Sequence, residues 1–391
     1  MYLLKNALAI PKLMYILRAS PCFMGVKLLQ YDQDLKSALS LLINVDLGDS
    51  RWDQASLPVW AGGLGIRSAV MLAPSAFLAS AAGTAALVSQ ILPDSFTVLP
   101  DPLVSLALNQ WHLSAGANVT PPLESHKQRS WDAPCCSAVA AKLLDLHTDM
   151  ASRARLLASC AKGSGDWLHA LPLANIGLKL DDQAISIAVS LRLGASAVHQ
   201  HTCGCGAPVA TNGHHGLSCR RSAGRQSRHS SVNDIIHRAL HSAGVQVMRE
   251  PTGLCGTSDR RPDGVTLIPW RRGKPLVWDF TCPDTLAPSH LRNTSAVAGA
   301  AALDAESIKR NKYADLDNAY EVLPVVVETL GVWGEAAWNF VEALGRRICL
   351  ATNDQRSTAF LRQRISVAVQ RGNCVSVLGT QRHIIPPKLT F

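Results

Sequence analysis

Two aspartates constrain this chain more than any other residues. Asp263 stands in Arg261-Pro262-Asp263-Gly264 and Asp279 in Val277-Trp278-Asp279-Phe280-Thr281, sixteen positions apart in a chain of 391 residues. Both are set among β-branched and aromatic residues, and the basic stretch Arg271-Arg272-Gly273-Lys274 lies between them. Strand propensity on both arms, with a Gly-containing turn between, predicts a β-hairpin. An acid on each arm can bring two carboxylates to one point, where at about 4 Å they would repel by roughly 4 kcal/mol at an effective dielectric of about 20. A divalent cation is the usual reason for a fold to hold them there.

Upstream, Cys203-Gly204-Cys205-Gly206 is followed by His215-Gly216-Leu217-Ser218-Cys219. Three thiolates and one imidazole match the ligand count of a closed tetrahedral Zn2+ site, with His214 or His201 as alternatives to His215. So short a segment has little core of its own, whereas structural zinc can contribute roughly 10 to 16 kcal/mol. Directly after it, Arg220, Arg221, Arg225, Arg228 and His229 place five potential cations within ten residues, and contact with nucleic-acid phosphates is their expected role. Ser230 or Ser231 is expected to cap a helix through His241, with Val232, Ile235, Ile236, Ala239 and Leu240 on its buried face. A strand over Val245 to Arg249 leads into the hairpin. Beyond a loop from Pro283 to Asn293, a helix from Thr294 to Ala314 carries Glu306, Lys309, Lys312 and Tyr313 on or beside one face. A strand over Glu321 to Glu328 and helices over Trp333 to Cys349 and Ser357 to Arg371 complete this part.

The N-terminal part asks for no chemistry. Residues 1 to 48 form helical patterns broken at Pro11 and Pro21, with Leu28, Leu35, Leu39 and Leu42 on one face. A Gly-rich connector, Trp52 to Ser68, precedes the uncharged run Ser68 to Leu92. That run is long enough to cross a bilayer but rich in Ala, Ser and Gly and interrupted by Pro74, so a packed helix is expected and no membrane span. Leu92 to Pro134 reads as a linker, Ser137 to Leu157 as a helix, and Asp181-Asp182 opens an apolar element over Ala184 to Leu193. Hydrophobic residues make up 47% of the chain, enough for real cores, which excludes a disordered protein. Lys and Arg outnumber Asp and Glu by 38 to 29, a balance that favours a polyanionic partner. Eleven mostly scattered cysteines and the lack of a signal peptide fit a reduced intracellular compartment, cytosol or nucleus without discrimination.

The order helix, strand, Asp263 strand, Asp279 strand, lysine-bearing helix, strand, helix resembles the restriction-endonuclease-like fold, a central mixed sheet flanked by helices. Its signature is Pro-Asp on one strand and Asp or Glu-x-Lys on the next. Pro262-Asp263 and Asp279-Phe280-Thr281 match all of it but the lysine, which Thr281 replaces. Some branches carry the lysine on the following helix, where Lys309 and Lys312 lie. Taken with the cysteine motif, Arg228-His229 and Lys309-x-x-Lys312-Tyr313, the chain resembles the C-terminal region of a non-LTR retrotransposon polyprotein: a post-reverse-transcriptase segment, a zinc knuckle and a restriction-like endonuclease. Leu8 to Arg18 and Gly62 to Arg67 resemble the segment after the polymerase core. No Asp-Asp pair stands where a polymerase would need it, so a fragment without polymerase activity is expected.

The resemblance implies an α+β chain divided as 1–92 helical, 93–195 linker and helical connector, 196–225 zinc knuckle and 226–391 endonuclease domain. It implies nicking of a DNA target with Mg2+ or Mn2+, the element's own RNA being a second candidate partner. Asp263, Asp279 and the Phe280 carbonyl would hold the ion, Lys309 or Lys312 would stabilise the charge that develops, and Tyr313 would position water or a phosphate oxygen. Arg228 and His229 would grip the flanking backbone. The rival expectation is an inactive zinc-containing nucleic-acid-binding relic, for which Thr281 is the best argument. A purely structural protein built on the Ala-rich helices is the third.

Overall fold

The computed structural model describes residues 1–92, 101–255 and 260–381. The chain divides into two compact units, Met1–Thr148 and Asp149–Phe391. Where one helix was expected over Ser137 to Leu157 there are two, Gln128–Leu146 and Met150–Cys160, and the boundary between units lies in the break. Asp149 starts the second helix by accepting a hydrogen bond from the Ser152 backbone N–H at 2.8 Å. A carboxylate cap satisfies a donor that has no partner within the helix, and so favours a new start over continuation.

Among the described residues the first unit contains only helices. Pro11 opens the helix Ile10–Ala19 rather than breaking one, because a first-turn proline forfeits no helical hydrogen bond. Leu28, Leu35 and Leu39 line the buried face of Val26–Ile43 as expected, but Leu42 is exposed and Ile43 takes the inward position. The stretch expected as linker contains a helix, Pro102–Ala115, and the first turns of Gln128–Leu146; its residues 93–100 lie outside the described residues. Ala69–Ile91 is a single helix through Pro74. Its N-terminus is held by the Ser68 hydroxyl and by buried Asp32, whose carboxylate accepts from the Ala69 N–H at 2.7 Å and the Ser68 hydroxyl at 2.5 Å. This helix has the length and apolar composition to cross a membrane, and its first half packs among Ile10, Leu17, Phe23 and Trp111.

The second unit is a helix-rich α+β assembly with, among the described residues, two small sheets. Strands β1 (His201–Thr202) and β2 (Pro208–Val209) pair antiparallel. The larger sheet is mixed, in the order β3-β4-β5-β6, formed by β3 (Val247–Arg249), β4 (Gly264–Thr266), β5 (Leu276–Thr281) and β6 (Glu321–Val326). β4 and β5 form the expected antiparallel pair, with Gly264 opposite Trp278. Its turn has Arg272 at φ 49° and Gly273 at φ 75°, two consecutive left-handed residues as a tight hairpin turn requires. β6 runs parallel to β5, with Asp279 beside Pro324, and the helix Ala300–Lys312 lies in the connection between them.

Side chains alternate across β5. Leu276, Trp278 and Phe280 face the main core with Ile236 and Leu240 of the helix Gly224–Ser242 and Phe340 and Leu344 of Glu335–Thr352. Val277 faces the other way, into a smaller cluster with Val265, Tyr313 and Leu316, and Asp279 shares that side. The helix expected to start at Ser230 or Ser231 starts at Gly224 instead, which brings Arg228 and His229 inside it.

Candidate functional site

Asp263 immediately precedes β4, and Asp279 is the fourth residue of β5. The antiparallel register brings their carboxylates together: one oxygen from each, and a ring nitrogen of His229, lie within 4.8 Å of one another. Two ionised carboxylates at that separation would repel by roughly 3 kcal/mol at an effective dielectric of about 20, so nearby donors decide whether both stay charged.

Asp263 has those donors. His229 Nε2 lies 3.1 Å from Asp263 Oδ1, and the Phe280 backbone N–H donates to Oδ2 at 2.6 Å. Burial works to raise the Asp263 pKa, but the His229 hydrogen bond and charge, the Phe280 N–H and Asn233 together hold it below the ordinary carboxylate value. The reciprocal effect raises His229: the hydrogen bond to Asp263 leads, burial opposes it, and the charges of Asp263 and Asp279 add to it. Asp279 is buried, and its cations come from the next helix. Lys309 Nζ lies 2.9 Å from Asp279 Oδ2 and Lys312 Nζ 3.6 Å from the same oxygen. The position that Thr281 leaves without a cation on β5 is therefore served from Ala300–Lys312.

Three sequence expectations need correction. Tyr313 is fully buried, and its hydroxyl donates to the Arg261 carbonyl at 2.9 Å, so it holds the Arg-Pro-Asp turn rather than facing a water or phosphate. Burial, reinforced by nearby Asp279, pushes the phenol well above its ordinary pKa. Arg228 is 2% exposed and does not grip a nucleic-acid backbone: it donates to Asn373 Oδ1 at 3.1 Å and to the Ser376 hydroxyl at 2.7 Å, tying its helix to Ser357–Leu378. His229, expected at the backbone beside it, turns to the carboxylates. Of the other basic residues, Arg221 donates to the Gly204 carbonyl at 2.8 Å, while Arg220 and Arg225 are exposed on the wall of a cavity of about 370 Å³ that His229 and Thr281 also line.

Asn233 was missed. Its Oδ1 accepts from Trp278 Nε1 at 3.1 Å and its amide lies 3.4 Å from His229 Nδ1, which orients the ring. The available signal was the spacing of four between His229 and Asn233, which puts both on one helix face.

The cysteine motif closes as a separate cluster. Ligand atoms of Cys203, Cys205, His215 and Cys219 all lie within 4.8 Å of one another. Cys203 Sγ and Cys219 Sγ are 3.9 Å apart, near the roughly 3.8 Å between two sulfurs on a tetrahedral zinc, and Cys205 Sγ is 3.3 Å from His215 Nε2. The left-handed Gly206 (φ 93°) closes the turn, and the Cys203 N–H donates to the Ala207 carbonyl at 2.9 Å. The Cys205 thiol is drawn down to about 6, first by its hydrogen bond with the Ala207 backbone and then by Cys203, whereas burial raises Cys219. The four residues can hold a zinc-like ion. The alternatives lie elsewhere: His201 Nε2 pairs with the Thr380 hydroxyl at 3.0 Å, and His214 is not in the cluster, its pKa lowered to about 4 by burial and by Arg155.

Comparison of the chain with known family models and with curated proteins returned no match.

Proposed function

We propose that the second unit is a divalent-metal-dependent endonuclease that nicks DNA, the target-cleaving part of a non-LTR retrotransposon protein. One observation carries this reading: two acids on paired strands converge, and a lysine from the following helix reaches one of them at 2.9 Å. The donor set fits Mg2+ or Mn2+, and the imidazole beside the two carboxylates favours Mn2+. Such an ion, when bound, supplies Lewis acidity and lowers the pKa of a water. The chain supplies the rest. Lys309 and Lys312 stand beside the carboxylates to hold negative charge on a phosphate, and Arg220 and Arg225 line the adjoining cavity to receive the strand. Asn233 and Phe280 keep His229 and Asp263 oriented, and the cysteine cluster, loaded with zinc, keeps the basic segment folded.

The test is nicking of supercoiled plasmid with Mg2+ or Mn2+. Asp263→Ala and Asp279→Ala are each expected to lower the rate by roughly 10²-fold or more. Cleavage that survives both substitutions overturns the assignment. The inactive relic has its own supporting observation, since both carboxylates already have protein partners that compensate their charge. Salt-sensitive DNA binding without nicking by the wild type would establish that reading instead.

A further inference from the structure

Lys309 and Lys312 both stand in the last turn of Ala300–Lys312, and Lys312 is its final residue. The end of a helix is its least constrained part, because the last four carbonyls have no partner within the helix and the turn frays. A lysine ammonium on its flexible four-carbon stem reaches only where the backbone carries it. The ion pairs to Asp279 place both ammonium groups, but Asp279 cannot serve fully as their anchor and as a metal ligand at once. The helix end therefore needs a hold of its own.

Arg260 supplies one. It lies three residues before Asp263, roughly 10 Å of extended chain. Its guanidinium donates to the Lys312 carbonyl, one of the orphan acceptors, and takes both oxygens of Asp315, Nη1 on Oδ1 at 3.1 Å and Nη2 on Oδ2 at 2.8 Å. Asp315 belongs to the short 3-10 turn Ala314–Leu316 that follows the helix directly. The next residues cross in the other direction, the Tyr313 hydroxyl donating to the Arg261 carbonyl. Two adjacent residues of the acid-bearing segment are thus joined to the helix end that carries the lysines. The Arg260–Asp315 pair is partly exposed, and an isolated pair of that kind contributes little to stability. Its consequence is geometric: a planar fork holding a carboxylate by two bonds admits one orientation, which an ammonium does not impose.

We infer that Arg260 and Asp315 are positioning residues of the nuclease site, a latch that sets the end of the lysine helix over Asp279. They act through Lys309 and Lys312 rather than on the substrate. The inference rests on the nuclease reading and adds to it the contact that keeps the lysines in reach.

Steady-state nicking of supercoiled plasmid by the full chain with Mn2+ tests it. Asp315→Asn is expected to lower kcat roughly tenfold, as a misplacement of a fraction of an ångström would, with KM unchanged. Removing an acid does not weaken attraction to DNA, so that loss cannot come from a missing phosphate contact. Arg260→Lys keeps the charge but not the fork and should lose the same factor. In the double variant the losses should not multiply, since both substitutions break one contact. Mn2+ affinity, read by electron paramagnetic resonance, should stay at the wild-type value because Asp263 and Asp279 are intact, and circular dichroism melts matching wild type exclude misfolding. Wild-type kcat in Asp315→Asn overturns the latch. So do a loss confined to KM, losses that multiply in the double variant, or a parallel loss of Mn2+ binding, which would tie the pair to the acids rather than to the lysines. A wild type that does not nick is a different outcome: it fails the nuclease reading itself, and the positioning role with it.

Discussion

Gly264 shows what the Arg-Pro-Asp-Gly turn requires. The Trp278 indole lies across it, and a Cβ at this position would stand 2.1 Å from Trp278 Cη2. The indole has nowhere to go, being fully buried with its N–H bonded to Asn233. Gly264→Ala is therefore expected to destabilise by about 1–3 kcal/mol through overpacking, read as a lower urea midpoint at constant slope. An unchanged midpoint would show that the ring can move aside. His229 and Asp263 carry a pH dependence, best measured on metal-free protein. The folded His229 has a raised pKa, so its stabilisation is complete below the unfolded value of about 6.5 and fades as pH rises through the folded one. Asp263 is depressed, so its stabilisation is present above about 3.9 and is lost as pH falls through its folded value. The pair thus stabilises most between those limits. His229→Gln should flatten the decline of melting temperature between about pH 6 and 8 relative to wild type, and parallel profiles would remove the ion pair from this account.

Among the elements, the helix Gly224–Ser242 carries the most functions. One side holds Arg228 against Ser357–Leu378, and the crossing is close: a Cβ on Gly372 would lie 1.9 Å from Arg228 Cγ, and one on Gly224 2.1 Å from the Ser376 hydroxyl. Arg228→Met strands the Asn373 and Ser376 acceptors and is expected to lower stability by roughly 1–3 kcal/mol. If Arg228 instead bound a phosphate, stability would hold and only the salt dependence of DNA binding would change. Hydrophobic spacing showed this helix but not its start, since the added turn is held by tertiary packing rather than by a Ser cap. The cysteine knuckle was more legible, because ligand type and order survive any uncertainty in backbone path. Metal analysis should find about one zinc per chain, lost in Cys203→Ser, and full retention in that variant would disprove the ligand set.

At the scale of the molecule, the unit Asp149–Phe391 has its own core and its own sheet. Expressed alone with zinc, residues 149–391 should unfold in one cooperative urea transition, and a fragment without a transition would show that this unit does not stand by itself. The helices Met150–Cys160 and Asp182–Leu193 belong to this unit, although their sequences read as connector. Their apolar faces carry no label saying which core they cover. What the sequence determined by itself was local: the acid hairpin, from strand propensity on either side of a Gly-containing turn; the cysteine cluster, from ligand order; and Asp181-Asp182 as the opening of an element, which in the structure is a helix whose Asp181 carboxylate accepts from the Ala184 N–H at 2.7 Å. Only the tertiary structure decided which cations meet the acids. Helical spacing allowed Lys309, Lys312 and Tyr313 alike, yet burial took Tyr313 for the core, the parallel β5–β6 crossover set the lysines over Asp279, and an earlier helix start turned His229 rather than Arg228 toward Asp263. Long-range packing sets those choices, and spacing along one element carries no information about it.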